Sequence, residues 1–148
     1  MTRKIVPDVI NDQTLACVSP ADTARSAAKL MRERKVAAVL VMEGDRLVGI
    51  ITERDMTSRI IAADRDADAT KCREIMTANP DTLSPNDTAA DAIHMMRSRN
   101  YRHLPVVDGL KVVGMVSVRD LYAVYNTELQ QDLRDRDAFI YGENYGTA

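Results

Sequence analysis

Sliding the 148-residue chain along itself by 65 positions aligns Ser19–Asp55 with Ser84–Asp120 without a gap, and 15 of the 37 pairs are identical. The matches include Ser84-Pro85, Asp87-Thr88-Ala89, Met96-Arg97, Arg99, Val106, Gly109, Val113-Gly114 and Arg119-Asp120. Ile10 and Ile75 also fall into register. Ungapped similarity of this density marks a tandem duplication, which sets the architecture before any single element does. The chain must build one fold twice. Its length suits one compact domain, or two half-domains of about 60 residues that need each other to bury a core.

The repeat has its own internal order. Ser19-Pro20-Ala21-Asp22 predicts a helix start, with Ser19 as N-cap, Pro20 in the first turn and Asp22 near the positive end of the dipole. Ala24, Ala27, Ala28 and Met31 then share one face at helical spacing. Val36–Met42 is an unbroken apolar run, which reads as a strand buried on both faces. Glu43-Gly44-Asp45 makes a turn, and Arg46–Ile51 returns as a second strand. Thr52-Glu53-Arg54-Asp55 caps a further helix carrying Met56, Arg59, Ile60 and Ile61. Before the first helix, Asp8-Val9-Ile10 and Thr14–Val18 are each expected to be short and extended, and Asp64–Thr70 to be a polar linker. The fold class is α+β, each repeat reading β-α-β-β-α.

With one Phe, five Tyr and no Trp, the core must be built from Val, Ile, Leu, Met and Ala. Met95 and Met96 accordingly read as core, and His94 beside them as exposed and inert. Beyond Asp120, Leu121, Tyr122, Tyr125, Leu129 and Leu133 trace a helical stripe through Asn126–Asp135. That stripe suits either a partner or a cover over the core. The tail, Phe139–Tyr145, gathers three large rings that suggest docking onto this subunit or its twin.

Several function classes are disfavoured. A formal charge of −2 lacks the basic excess that general nucleic-acid or anionic-membrane binding needs. No segment approaches 18 uninterrupted apolar residues, and the first residues hold no apolar run of signal-peptide length, so a cytoplasmic location is expected. Cys17 and Cys72 are isolated and read as buried free thiols, with no metal site expected. Ser117, His103 and Asp120 could suggest a catalytic triad, but the serine lies in no G-x-S-x-G elbow and no oxyanion motif accompanies it. The expectation is a protein that is not an enzyme and has no catalytic residues.

The repeat resembles a tandem pair of CBS domains, the module named after cystathionine β-synthase. In the second repeat the resemblance rests on Glu74-Ile75-Met76-Thr77, the Ser84-Pro85…Ala92…Met96 helix, His103–Asp108 and Gly114–Asp120. In the first it rests on Ser19-Pro20…Met31, Val39-Leu40-Val41 and Gly49–Asp55. It places repeat 1 at 6–65 and repeat 2 at 71–125, followed by a C-terminal helix and tail at 126–148. The resemblance implies two repeats packed as one pseudo-two-fold module that commonly forms a homodimer. It also implies a regulatory role, with an adenine nucleotide (AMP, ADP or ATP, AMP first) bound between the repeats and its state passed to a partner protein whose identity is unknown. Alternatives within the resemblance are NAD, S-adenosylmethionine, or a scaffold dimer without a nucleotide.

Carried over residue by residue, the resemblance gives two candidate nucleotide sites. In repeat 2 it implies Ser117, Arg119 and Asp120, with Arg102, His103, Leu104 and Pro105 opposite and Ala78 on the lead-in. In repeat 1 it implies Thr52, Arg54 and Asp55, but Ala37-Ala38 stand where Arg102-His103 stand in the second copy. Leu40 likewise replaces Pro105. Weaker phosphate binding, or a different ligand, is therefore expected at the first site. The chemistry fits these residue types, because an ionised Asp can accept two hydrogen bonds from vicinal ribose hydroxyls, at about 1.5–3 kcal/mol each. Arginine, histidine and a helix start can meet phosphate oxygens. A plainer reading stands beside this one: Thr52 and Ser117 as N-caps, Asp55 and Asp120 as first-turn carboxylates. The two are compatible.

Overall fold

The computed structural model describes residues 3–145, with side chains through residue 138. The first repeat contributes β1 (Cys17–Val18), α1 (Ala24–Arg34), β2 (Ala38–Glu43), β3 (Arg46–Thr52) and α2 (Glu53–Met56), which runs on as a wider π turn over Thr57–Ile61. The second contributes α3 (Cys72–Ile75), β4 (Thr77–Ala78), α4 (Ala89–Arg99), β5 (His103–Asp108), β6 (Lys111–Ser117) and α5 (Val118–Tyr145). The 65-residue offset survives in the backbone. Helices α1 and α4, hairpins β2–β3 and β5–β6, and the left-handed helix caps Lys35 and Asn100 are all 65 apart. So are the bulges after Val41 and Val106. The α+β fold of two repeats is as expected.

Burial follows the apolar pattern. Ala38–Val41 of β2 are all buried, as a strand covered on both faces should be. On α1 the inward face is Ala24, Ala27 and Met31, with Ala28 at its margin. Met96 is buried and His94 exposed. The helix starts depart from expectation. Ser19-Pro20 and Ser84-Pro85 do not cap α1 and α4 but lie in turns, closed by Asp22 and Asp87 carboxylates that accept from the Ser19 and Ser84 N–H at 2.8 Å. The caps are Thr23 and Thr88, which accept from Ser26 N and Asp91 N at 3.1 Å. A serine N–H already bonded to a carboxylate three residues on, followed by Pro, is turn chemistry, so each helix opens later.

Two further expectations are corrected in the lead-in. Asp8-Val9-Ile10 is not one extended segment; Ile5–Val9 form a kinked turn, with Val6 extended, closed by Ile10 N–H donating to Ile5 O at 3.0 Å, and the Asp8 carboxylate accepts from Lys4 N–H. Fully burying Ile5 fixes that turn. Cys17 is exposed, while Cys72 is buried. The cause is alternation along β1, which turns Val18 inward and Cys17 outward.

The repeats are bound by exchange of their lead-ins. One sheet has the order β1-β2-β3-β4, with β1 parallel to β2 and the other pairs antiparallel. Its last strand, β4, comes from the start of the second repeat. Reciprocally, Gln13 from the first lead-in accepts a hydrogen bond from Met115 N–H of β6 at 2.6 Å. Glycines mark both crossings: a Cβ on Gly49 would strike the Met76 side chain, and one on Gly114 would strike Ile10 and Gln13. The cores follow the exchange. One joins Val39, Val41 and Ile51 to Cys72 and Ile75; the other joins Leu104, Val106, Val116 and Leu121 to Ile5 and Ile10. The 64–70 segment is polar but tied down, since Thr70 O and Ala67 O accept from Ala24 N and Arg25 N at the open end of α1.

Candidate functional site

The two strand-to-helix corners, β3 into α2 and β6 into α5, open into one cleft of about 910 Å³ between the repeats. Each corner is built alike. Thr52 caps α2, its hydroxyl accepting from Asp55 N–H at 3.4 Å while Asp55 Oδ2 accepts from Thr52 N–H at 2.8 Å. Ser117 caps the start of α5, accepting from Asp120 N–H at 3.2 Å while Asp120 Oδ2 accepts from Ser117 N–H at 2.8 Å. The hydroxyls also donate to the same Oδ2, at 3.2 Å and 3.0 Å. The reciprocal cap uses one oxygen of each aspartate and fixes the other in direction. The capping reading is therefore correct, and it positions the carboxylate.

The corners differ in what the second oxygen meets. Asp55 is 9% exposed, and its Oδ1 lies 3.6 Å from Arg59 Nε, one turn along the helix. The residue one turn beyond Asp120 is Val124. Among the described residues no donor bonds Asp120 Oδ1. The walls differ as well. Ladder pairing sets His103 opposite Ser117 but Ala38 opposite Thr52. Burial lowers the His103 pKa and the neighbouring Arg102 adds to that, while Asp120 and Glu53 pull it back up. The cationic form of His103 is thus less favoured than that of a free imidazole.

Pro105 shapes the second corner through its backbone. In repeat 1, Leu40 N–H donates to Ala16 O at 2.9 Å. Proline has no N–H to repeat that bond, so the incoming strand is reduced to a single bridge at Leu83. Pro80 and Asp81 are left lining the cleft.

Of the residues implied from sequence, Ala38, Thr52, Arg54, Asp55, Arg102, His103, Leu104, Ser117, Arg119 and Asp120 all line the cleft. Ala78 does not; it pairs with Gly49 in the sheet, and its neighbours Thr77 and Pro80 face the cleft instead. Pro105 is buried behind the wall. Sequence reasoning missed the Thr14-Leu15-Ala16 wall, Tyr101 and Glu53. The repeat register held a signal for the first of these, since Gln13 is the 65-residue counterpart of Ala78.

The CBS domain family model matches residues 1–62 and 72–126, one copy on each repeat. The chain belongs to the CBS domain family. This CBS pair is 37% identical over 116 residues to the CBS domain-containing protein YhcV of Bacillus subtilis, covering 78% of this chain and 81% of YhcV. A solved structure of a protein with CBS domains from Burkholderia ambifaria is 38% identical with a TM-score of 0.72, covering 74% of this chain and 80% of that one. The CBS domain protein PAE2072 of Pyrobaculum aerophilum, solved in complex with AMP, is 26% identical with a TM-score of 0.69, covering 74% and 85%. The chain spans between 20% and 61% of the length of the plant CBS proteins it matches. A CBS pair is a regulatory module, and the cleft between its repeats is where this one presents its polar chemistry.

Proposed function

We propose that this CBS pair senses adenine nucleotides, AMP first, in the cleft between its repeats and passes their presence to a separate partner protein. The observation that carries the reading is the second corner: Asp120, held by its own cap, lines the cleft together with Arg102, His103 and Arg119, and among the described residues no donor bonds its Oδ1. Ribose hydroxyls can donate to that oxygen, the three basic side chains and the α5 start suit a phosphate, and Leu104 and Met115 offer apolar surface to a base. The AMP complex of PAE2072, a relative with the same fold, supports the choice of ligand. AMP at 100 times its Kd should stabilise the fold by about 2.7 kcal/mol, a rise in Tm of roughly 5–11 °C. A thermal-shift panel of AMP, ADP, ATP, NAD and S-adenosylmethionine tests this; no shift with any of them returns the chain to the scaffold reading.

A second copy of the chain is the partner that the α4–α5 face fits. Tyr122, Tyr125, Leu129 and Leu133 remain exposed along one side of α5, and beside them Ile93, Met96 and Leu121 line an apolar groove of about 390 Å³. Tyr122, Tyr125 and Leu129 also line that groove, and a two-fold interface would bring the same apolar patch of two copies together. The docking expected of Phe139–Tyr145 concerns side chains outside the described residues. Among the described residues no helix is long and apolar enough to cross a membrane.

A further inference from the structure

We propose that Arg59 is an internal lock on the first nucleotide corner, so that the chain binds AMP with a stoichiometry of one. The inference rests on the nucleotide reading of the cleft and adds to it a residue that sets which corner is used. Arg59 is fixed from two sides. Its guanidinium donates through Nη1 to Ile75 O at 2.9 Å and Met76 O at 3.2 Å, the carbonyls that lead from α3 towards β4. Its Nε stands 3.6 Å from Asp55 Oδ1, the oxygen that the Thr52 cap leaves over. Asp55 thus has Oδ2 held in the cap hydrogen bonds and Oδ1 facing the Arg59 cation as an ion pair, both within its own repeat. A ribose hydroxyl reaching Asp55 must displace a cation that is anchored to the backbone of the other repeat's lead-in.

The second corner keeps the cap but lacks the arginine. Val124 occupies the position equivalent to Arg59 and carries neither charge nor donor. The same duplication thus yields one carboxylate paired in advance and one left open. Two other substitutions act in the same direction. Glu53 replaces Val118 at the mouth of the first corner and sets a negative charge where a phosphate would approach, and Ala37-Ala38 replace the Arg102-His103 wall. The lock differs from these because it acts on the ribose-binding atom itself.

Calorimetric titration of the full chain with AMP supplies the test. The wild type is expected to saturate at one AMP per chain. Arg59→Gln, whose shorter neutral amide removes the cation from Asp55 and no longer reaches the Ile75 and Met76 carbonyls, is expected to gain a second, weaker site, raising the stoichiometry towards two. Val124→Arg copies the lock into repeat 2 without disturbing Arg59, and should weaken the single site at least tenfold. A wild type that already binds two AMP molecules overturns the lock. So does an Arg59→Gln protein that stays at one, or a Val124→Arg protein that binds as tightly as wild type. Absence of AMP binding in all three proteins instead overturns the nucleotide reading, and the lock with it.

Discussion

At the scale of single residues, one hydroxyl and one carboxylate carry both local structure and proposed chemistry. The Ser117–Asp120 cap satisfies donors at the start of α5 and at the same time fixes Asp120. Asp120→Ala removes the cap partner as well as the ligand contact, and loss of a helix cap costs about 1 kcal/mol. Asp120→Asn separates the two effects. Its amide oxygen can keep accepting from Ser117 N–H while the negative charge is lost, so stability should change little and the AMP-induced shift should fall sharply. His103 predicts a pH dependence. Its folded-state pKa lies below the ordinary 6.5, chiefly through burial, so the unfolded chain takes up the proton first as pH falls. The His103 contribution is therefore fully favourable above about pH 6.5 and becomes a penalty as pH drops towards the lowered value. Comparing Tm at about pH 7.5 and pH 5.5 should show a smaller loss in His103→Gln than in wild type. A bound phosphate favours the imidazolium, so AMP affinity should weaken as pH rises. Equal pH profiles for the two proteins would contradict this assignment. Burial raises the pKa of both thiols, that of Cys72 to about 11, but Cys17 is exposed and Cys72 is buried, so a thiol reagent should label Cys17 of the native chain before Cys72.

At the scale of elements, the exchanged lead-ins decide whether two half-domains act as one. Neither core is complete without residues from the opposite end of the duplication: Cys72 and Ile75 fill the first, Ile5 and Ile10 the second. Gly49 and Gly114 let these crossings approach closely. Adding a methyl group at Gly114 forces Ile10 and Gln13 aside, and overpacking of this kind costs about 1–3 kcal/mol. Gly114→Ala should therefore lower Tm, while Gly109→Ala acts by a different cause, a positive φ with open space around it. Gly114→Ala should also weaken AMP binding, because the displaced Gln13 lines the cleft. A Gly114→Ala protein with unchanged Tm and affinity would show that the crossing tolerates more space than its geometry indicates.

At the scale of the whole molecule, the sequence made the plan readable because the duplication preserved what is local. Helix periodicity, the buried run Ala38–Val41 and the hydroxyl–aspartate corners are all encoded within a few residues of one another. What it hid was long-range. No local pattern tells Gln13 to bond β6, or Thr77–Ala78 to complete the sheet of the other repeat. The Ser-Pro motifs misled for a related reason, since a serine before proline serves a turn as well as a helix cap until the carboxylate that claims its N–H is seen. The unequal use of Asp55 and Asp120 was legible only in part. Ala37-Ala38 showed a missing wall, but the Arg59 pairing needed three dimensions. The exposed α5 stripe also belongs to this scale. Replacing Leu129 and Leu133 together with Asp should convert a dimer to a monomer in sedimentation while leaving the nucleotide cleft intact; an unchanged sedimentation coefficient would remove this face as the interface.

The central claim is that the second corner of this CBS pair is the principal nucleotide site. Thermal denaturation with saturating AMP measures it most directly, in wild type, Asp55→Asn and Asp120→Asn proteins side by side. The account predicts a clear rise in Tm for wild type, nearly the same rise for Asp55→Asn, and little or none for Asp120→Asn. A shift lost in Asp55→Asn and kept in Asp120→Asn would contradict it.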